Sequence, residues 1–195
     1  EGKSGENIHL TIATNLQKFA SERLKGMSAS SVLIDIKSGD ILSLVSTPSY
    51  NPNNFVLGIS QSDWDALLND ERKPLLNKAT SGAYPPGSTF KMVVAAAALE
   101  LGLIGLNDKI FCAGFYELGS RIFHCWLKGG HGKLTLQEGI QKSCDVYFYE
   151  LARKVGVKRI GAMARLLGLG QSFNLPLTGQ TMLSYKQFLQ ELSLL

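Results

Sequence analysis

A serine and a lysine stand three residues apart in Ser88-Thr-Phe-Lys91, directly after the rigid corner Pro85-Pro86-Gly87. The apolar run that follows predicts a helix from Ser88 to about Leu101. Residues i and i+3 lie on one face of a helix, so the hydroxyl and the amine become neighbours. A serine hydroxyl needs an adjacent base, and an amine buried beside an apolar helix can lose its proton near neutral pH. The spacing therefore indicates nucleophilic catalysis by Ser88 with Lys91 as base.

The same four residues also have a purely structural interpretation. Ser-x-x-Lys is expected about once by chance in a chain of ordinary composition, and serine is a common helix N-cap. On this interpretation Ser88 only caps the helix. The context favours the catalytic interpretation. A lysine at the start of a buried apolar helix costs free energy of burial, and a catalytic role would explain why it is there.

A second polar group, Ser143-Cys144-Asp145, lies between two predicted helices. The capping box Thr135-Leu-Gln-Glu138 opens the first helix, and Asp145 is expected to cap the second, which ends at Gly156. Helix-end chemistry alone accounts for these residues. A serine at such a junction can also point into a cleft and relay a proton between the lysine and a leaving group.

The three cysteines and a histidine could hold a metal ion. The pattern is Cys-x12-Cys-x5-His-x12-Cys, made by Cys112, Cys125, His131 and Cys144. Zinc favours thiolate and imidazole ligands in closed tetrahedral sites, and it would staple residues 102–134, which are predicted to be irregular. Two alternatives remain open, a Cys112–Cys125 disulfide or three free thiols. His124 competes with His131 for the fourth position.

Composition and charge exclude several classes of function. The chain has 195 residues, a net charge of +4 and 18% charged residues, enough for one sizeable hydrophobic core. It has no basic block with interleaved aromatic residues, so nucleic-acid binding is not indicated. No apolar run is long enough to span a membrane. Residue 1 is Glu rather than Met, so we expect a piece of a longer protein.

The rest of the sequence predicts a hairpin among helices. The β-rich runs Ser31 to Ile36 and Ile41 to Thr47 are joined by the turn Lys37-Ser-Gly-Asp40. A capping box at Thr14-Asn-Leu-Gln17 predicts a helix to about Lys25. A short strand is also expected at 8–12, with further helices at 62–68, 157–167 and over the last fifteen residues.

Together the two motifs resemble those of a known family. Ser88-Thr-Phe-Lys91, followed later by Ser143-Cys-Asp145, is similar to the first two active-site motifs of penicillin-binding proteins and serine β-lactamases. The runs "ASSVLIDIKSGDILSLVSTPSYNP" and "GGHGKLTLQEGIQKSCDVYFYELARKVG" resemble the transpeptidase domain of class B penicillin-binding proteins of the elongation type. The resemblance covers roughly residues 6–170.

The resemblance implies an α+β fold, a partial β-lactamase/transpeptidase-like fold with the helical subdomain and the first strands of the sheet. It implies three parts: a linker with the first strand and helix (1–28), the part of the domain with both motifs (29–170) and an atypical tail (171–195). The family's third motif is Lys-Thr-Gly or Lys-Ser-Gly, and no such triplet follows the second motif. A truncated, non-catalytic fragment is therefore one alternative expectation.

The resemblance also implies a reaction, peptidoglycan D,D-transpeptidation in cell-wall elongation. Ser88 would attack the D-Ala-D-Ala amide of a stem peptide, and Lys91 would take its proton. Ser143 would pass that proton to the leaving amine, and Asp145 would orient Ser143 and Lys91. β-Lactams would acylate Ser88, and catalysis would need no cofactor.

The implied surroundings are those of the family. The expected partner is a membrane glycosyltransferase of the elongation machinery, and the expected location is the periplasmic face of the bacterial inner membrane. The membrane anchor would lie outside this chain. A serine β-lactamase or a β-lactam sensor shares both motifs and is a second alternative.

Overall fold

The computed structural model describes residue 5 and residues 7–171, in two compact units that divide between residues 83 and 84. The helices are α1 (Thr14–Arg23), α2 (Gln61–Asn69), α3 (Lys78–Ser81), α4 (Lys91–Glu100), α5 (Leu136–Gln141), α6 (Asp145–Val155) and α7 (Val157–Leu166). The strands are β1 (Ala29–Ile34), β2 (Ile41–Thr47), β3 (Ile110–Cys112), β4 (Phe115–Leu118), β5 (Arg121–His124) and β6 (Gly132–Leu134). The strand expected at 8–12 is absent, since those residues have no regular structure. The helix expected over the last fifteen residues lies outside the described residues.

The first unit is built on the predicted hairpin, in which β1 and β2 pair antiparallel. The turn between them is held by Asp35, whose carboxylate accepts the backbone N–H groups of Lys37 at 2.7 Å and Ser38 at 3.2 Å. These two hydrogen bonds hold the pKa of Asp35 below its ordinary value. Asp residues favour turns because their side chains bond to the backbone just ahead.

Residues 11–17 cover the outer edge of β2. The Gln17 side-chain amide donates to the Leu44 carbonyl at 2.7 Å, and its carbonyl accepts the Leu44 N–H at 2.8 Å. The Ala13 N–H donates to the Leu42 carbonyl at 2.9 Å. Gln17 therefore pairs with β2 as a neighbouring strand would.

This use of Gln17 makes the predicted capping box at the start of α1 wrong. Thr14 is the first residue of the helix, Ala13 is its N-cap, and no side chain caps it. The box fails because the longer-range bonds to β2 take the Gln17 amide. The box predicted at α5 is confirmed, with reciprocal bonds between Thr135 and Glu138.

The second unit has its core around α4, which packs against α6 and α7. Its buried residues are Val93, Val94, Ala95, Ala97 and Ala98. Small side chains allow the neighbouring helices to approach closely, which explains why this helix is rich in alanine. Although α4 is strongly apolar, no helix of the described chain combines the length and hydropathy that a bilayer crossing requires.

Residues 102–134, predicted to be irregular, contain four short strands instead. β3 pairs with β6, and β4 pairs with β5, all antiparallel. The backbones meet closely at Gly114 and Gly130, which both have positive φ. A Cβ on Gly130 would lie 2.4 Å from the Cys112 carbonyl oxygen, so only glycine fits there. Pairings three or four residues long are set by such contacts rather than by a visible sequence period.

Candidate active site and metal centre

The Lys91 amine is the centre of the candidate active site. Lys91 is the first residue of α4, and its side chain is 14% exposed. Its Nζ donates to the Ser143 carbonyl oxygen at 2.8 Å, to the Ser143 hydroxyl at 3.0 Å and to Asp145 Oδ1 at 2.6 Å. An ammonium has three hydrogens, so the second motif engages all of them. The structure thus brings three of the four candidate catalytic residues into one hydrogen-bonded group.

Ser88 lies one turn before Lys91, on a 3₁₀ turn formed by Gly87–Phe90. The predicted α-helix therefore starts three residues late, because α4 begins at Lys91. The Thr89 hydroxyl holds the turn by donating to the Pro86 carbonyl at 2.6 Å. Ser88 is exposed, and its hydroxyl has no hydrogen-bond partner among the described residues. It is accessible to a substrate, but the structure shows no hydrogen bond joining it to Lys91.

Ser143 occupies a sparsely populated backbone conformation at the junction of α5 and α6. Its φ is 47°, in the left-handed region that costs an ordinary residue about 1–2 kcal/mol. The Ser143 N–H donates to the Ile140 carbonyl at 3.0 Å, and the next N–H donates to the Gly139 carbonyl at 3.0 Å. These bonds close the end of α5. In this conformation both oxygens of Ser143 accept hydrogen bonds from Lys91.

Asp145 is held through both of its carboxylate oxygens. Oδ1 accepts from Lys91, and Oδ2 accepts the backbone N–H of Trp126 at 3.0 Å. The prediction that Asp145 caps α6 is wrong by one residue, since Cys144 is the N-cap and its sulfur accepts the Tyr147 N–H at 3.4 Å. The sulfur of a cysteine is a weak hydrogen-bond acceptor, so it can take the place of a carboxylate oxygen at this cap. Because Cys144 caps the helix, the Asp145 carboxylate is free to accept a hydrogen bond from Lys91.

Trp126 is a site residue that the sequence did not identify as one. Besides its N–H contact to Asp145, its indole Nε1 donates to the Lys142 carbonyl at 3.0 Å. A cavity of about 610 Å³ opens beside it and reaches Ser143. Its lining residues are Trp126, Leu127, Gly130, His131, Gln141, Lys142 and Ser143. No pattern of residue types predicts these contacts. One uses the main-chain N–H of Trp126 and a carboxylate 19 residues away, and the other uses the main-chain carbonyl of Lys142 as its acceptor.

The four candidate metal ligands form a compact cluster. The sulfur atoms of Cys112, Cys125 and Cys144 and a ring nitrogen of His131 all lie within 4.8 Å of one another. His131 Nδ1 is 3.6 Å from two of the sulfurs, and the Cys125 and Cys144 sulfurs are 4.0 Å apart. Zinc bonds of about 2.3 Å to sulfur and 2.0–2.1 Å to nitrogen give tetrahedral edges of about 3.6–3.8 Å. The three separations of 3.6, 3.6 and 4.0 Å are close to these edges, so the cluster has about the size that one tetrahedral ion requires.

The cluster also has the donor chemistry of a metal site. All three cysteines are buried and free, so the described chain contains no Cys112–Cys125 disulfide. His124, the competing ligand, lies exposed on β5 and is not in the cluster. The other ring nitrogen of His131, Nε2, is buried without a hydrogen-bond partner.

The surroundings affect the thiols differently. Burial acts to raise the pKa of the Cys125 thiol, but backbone N–H groups of Leu127, Val146 and Asp145 outweigh it and lower the pKa. Burial raises the pKa of the Cys144 thiol to about 12. A bound cation would offset the cost of the Cys144 thiolate, since a coordinating thiol is deprotonated.

Comparison with known proteins identifies similar sequences. Residues 29–187 match the family model of the penicillin binding protein transpeptidase domain. The chain is 41% identical over 170 residues to the peptidoglycan D,D-transpeptidase MrdA of Escherichia coli strain K12. This match covers 86% of the chain but only 27% of that relative. The chain thus spans about a quarter of the length of such curated relatives.

Solved structures of the same family have a similar fold. Pseudomonas aeruginosa PBP2 in complex with WCK 5153 matches with a TM-score of 0.83 and 38% identity, over 88% of this chain and 38% of that chain. Helicobacter pylori PBP2 in its complex with MreC matches with a TM-score of 0.83 and 34% identity, over 88% of this chain and 32% of that chain. The α+β fold and the family expected from the sequence are confirmed.

Proposed function

The chain belongs to the family of penicillin-binding protein transpeptidase domains, and on that premise we propose that it carries the nucleophile and proton-transfer residues of a peptidoglycan D,D-transpeptidase. The enzyme would act in cell-wall elongation and so in cell shape. One observation carries the proposal: the Lys91 amine is bound by Ser143 and Asp145, which are 52 and 54 residues away in sequence. We assign residues 1–28 to the entry segment of the domain, residues 29–170 to the N-terminal part that carries both motifs, and residues 171–195 to an atypical tail, into which the family model extends as far as residue 187.

In the first half-reaction a stem peptide acylates Ser88. Its Oγ attacks the carbonyl carbon between the two terminal D-Ala residues, and its proton moves to Lys91, which as the base must first have released one of the three hydrogens that it donates to Ser143 and Asp145. The C–N bond of the amide then breaks. The leaving D-Ala takes up a proton through the Ser143 hydroxyl, whose own hydrogen is free because its oxygen accepts from Lys91.

In the second half-reaction the amine of a neighbouring stem peptide attacks the ester on Ser88. A new C–N bond forms and the ester C–O bond breaks, while the proton that the attacking amine loses passes through Ser143 and Lys91 to Ser88. Asp145 touches neither peptide in this scheme and keeps Lys91 and Ser143 in position. A β-lactam acylates Ser88 in the same way, because its strained amide replaces the D-Ala-D-Ala amide.

A fluorescent penicillin tests the proposal on the purified protein at its natural length. We expect a covalent label that survives denaturation and is lost in Ser88→Ala, because only Oγ of Ser88 forms the ester. Ser120→Ala is the matched control, since Ser120 is exposed in the same unit. No label on the wild-type protein would instead favour a non-catalytic fragment. A label that the protein hydrolyses within minutes would favour a β-lactamase.

The fit of the four-residue cluster supports a second part of the proposal, a structural zinc ion. Cys112, Cys125, His131 and Cys144 would be its ligands. The ion would supply no chemistry to the reaction. It would join the end of β3, the residue after β5, the residue before β6 and the N-cap of α6 at one point. Cys144 lies between Ser143 and Asp145, so a fixed sulfur also fixes the second motif.

Metal content tests the zinc assignment directly. Protein purified without chelator should contain about one zinc per chain, and His131→Ala should lose most of it. His124→Ala is the matched control, because His124 lies exposed outside the cluster. A Cys112–Cys125 disulfide in the mass spectrum of the unreduced protein would contradict the assignment.

The family relationship also supports a proposed setting. We place the full-length protein at the periplasmic face of the bacterial inner membrane, beside a membrane glycosyltransferase of the elongation machinery. The Helicobacter pylori relative was solved as a complex with MreC, and we propose a similar contact for the full-length protein. Co-purification of the tagged full-length protein from membranes tests the proposed pairing with the glycosyltransferase. Recovery of the MreC-like partner without the glycosyltransferase would argue against that pairing.

A further inference from the structure

Trp126 contacts the candidate active site and the cysteine cluster at the same time. Its backbone N–H donates to Asp145 Oδ2, and its indole N–H donates to the Lys142 carbonyl, both at 3.0 Å. Its ring meets the His131 ring edge-on, with centroids 5.2 Å apart. The side chain is nevertheless 63% exposed. Burial of apolar surface therefore accounts for little of the placement of this indole, and its hydrogen bond is the more specific contact.

The two acceptors of Trp126 lie on either side of Ser143. Lys142 precedes it and Asp145 follows it by two residues, so both ends of this short turn are tied to one residue. Ser143 itself has a φ of 47°, which few serines adopt without external support. The bonds from Trp126 restrain the segment that must hold this conformation.

We propose that Trp126 is a positioning residue for the acylation of Ser88. Its two N–H groups hold the turn from Lys142 to Asp145 so that the Ser143 hydroxyl and the Asp145 carboxylate meet Lys91. The inference rests on the proposed transpeptidase function and adds a residue that neither motif contains. Loss of the indole N–H leaves Lys91 with a less ordered set of acceptors.

The experiment measures the acylation of the full-length protein by a chromogenic β-lactam, separated into the binding constant K and the acylation rate k2. Trp126→Phe keeps an aromatic ring and the backbone N–H but removes the indole donor. We expect k2 to fall about five- to tenfold, the loss typical of one net hydrogen bond, with K changed less than twofold. Trp64→Phe is the matched control, because Trp64 packs against Phe55 in the other unit.

Two features of the experiment distinguish positioning of the active site from a general effect of Trp126 on folding. The rate k2 is taken from the time course of the molecules that become labelled, so a smaller folded fraction does not lower it. Trp64 and Trp126 each give an indole N–H signal in ¹⁵N NMR, and each signal is assigned by its disappearance from the spectrum of the corresponding variant. The Trp126 signal should exchange slowly with solvent despite the exposed ring, and the Trp64 signal should exchange faster.

Each outcome bears on a different statement. An unchanged k2 in Trp126→Phe, or fast exchange of the Trp126 indole proton, overturns the positioning role. A raised K with an unchanged k2 assigns Trp126 to ligand contact and also overturns it. A wild-type protein that is not acylated at all refutes the transpeptidase function itself, whereas normal acylation of both proteins refutes only the inference about Trp126.

Discussion

The backbone of Ser143 yields a prediction in which stability and activity separate. Its φ of 47° strains any residue with a Cβ, but not glycine. Ser143→Ala removes the hydroxyl and keeps the strain, whereas Ser143→Gly removes both. Both variants lose the 3.0 Å bond from Lys91 to the hydroxyl, so the comparison between them isolates the strain.

The magnitude follows from opposing contributions to the free energy of unfolding. Relief of the left-handed conformation stabilises the glycine variant by about 1–2 kcal/mol, and the greater freedom of glycine in the unfolded chain costs about 0.5–1 kcal/mol. Glycine should therefore be about 0.5–1 kcal/mol more stable than alanine. Loss of the hydrogen bond costs both about 1 kcal/mol, which leaves the glycine variant close to the wild type.

Urea unfolding followed by far-UV circular dichroism measures this difference. With a slope of about 2 kcal/mol/M, the midpoint of Ser143→Gly should lie roughly 0.3–0.5 M above that of Ser143→Ala. Acylation by penicillin should fall at least about 100-fold in both, because the proton relay is gone. We thus expect one variant with near-normal stability and no useful activity.

Lys73 provides the matched control, since its φ of 53° is the other positive value outside glycine in the described chain. The urea midpoint of Lys73→Gly should lie above that of Lys73→Ala by a similar amount, and the acylation rate of both should be unchanged. Equal midpoints for Ser143→Gly and Ser143→Ala, with the expected shift at Lys73, would refute the strain at Ser143. Near-normal acylation by either Ser143 variant would refute the relay.

Three further changes have defined outcomes. Asp145→Ala removes the carboxylate that positions the Lys91 amine, so k2 should fall about 100-fold, the loss that a small misplacement of a catalytic group causes. Glu150→Ala removes a carboxylate of similar exposure, 25% against 24% for Asp145, from a pair with Lys154 on the same helix, and it should leave k2 within twofold. Gly130→Ala would put a Cβ 2.4 Å from a carbonyl oxygen and should lower both zinc content and melting temperature, whereas Gly129→Ala, with open space around it, should change neither. Backbone and side-chain hydrogen bonds from its N-cap residue lower the pKa of Glu138, so its contribution is present above pH about 4.5 and is lost as pH falls through the lowered pKa; Glu138→Gln should flatten the melting temperature against pH below about 5, and an acid limb of unchanged steepness would contradict this.

Much of the site could be predicted because its chemistry depends on residue type. A Ser-x-x-Lys after a proline corner and a later Ser-x-Asp have few other uses in combination, and four Cys and His ligands suggest one metal. The structure brings Lys91 together with Ser143 and Asp145, as that chemistry requires. The roles of Ser88 and of the four metal ligands stay predictions, which labelling by penicillin and metal content test.

What could not be predicted depends on the backbone and on distant contacts. Cys144 takes the cap expected of Asp145 because the carboxylate is drawn to Lys91, a residue 54 positions away. Gln17 leaves its expected capping box for the same kind of reason. The contact from Trp126 to Asp145 uses a main-chain N–H, which every residue except proline possesses. Sequence patterns do not encode which of these donors will be used.

The contacts of Gln17 make the two edges of the hairpin in the first unit differ in their capacity to pair with another strand. On β2 the carbonyl and amide of Leu44 are already bonded to a side chain, so that border accepts no further strand there. Along the opposite border, no backbone group of β1 bonds outside the hairpin within the described part of the chain, and Val32 and Ile34 are exposed. A side-chain amide thus acts as a terminator on one side of the sheet. Any strand added to this sheet, from the same protein or from another, is directed to the β1 side.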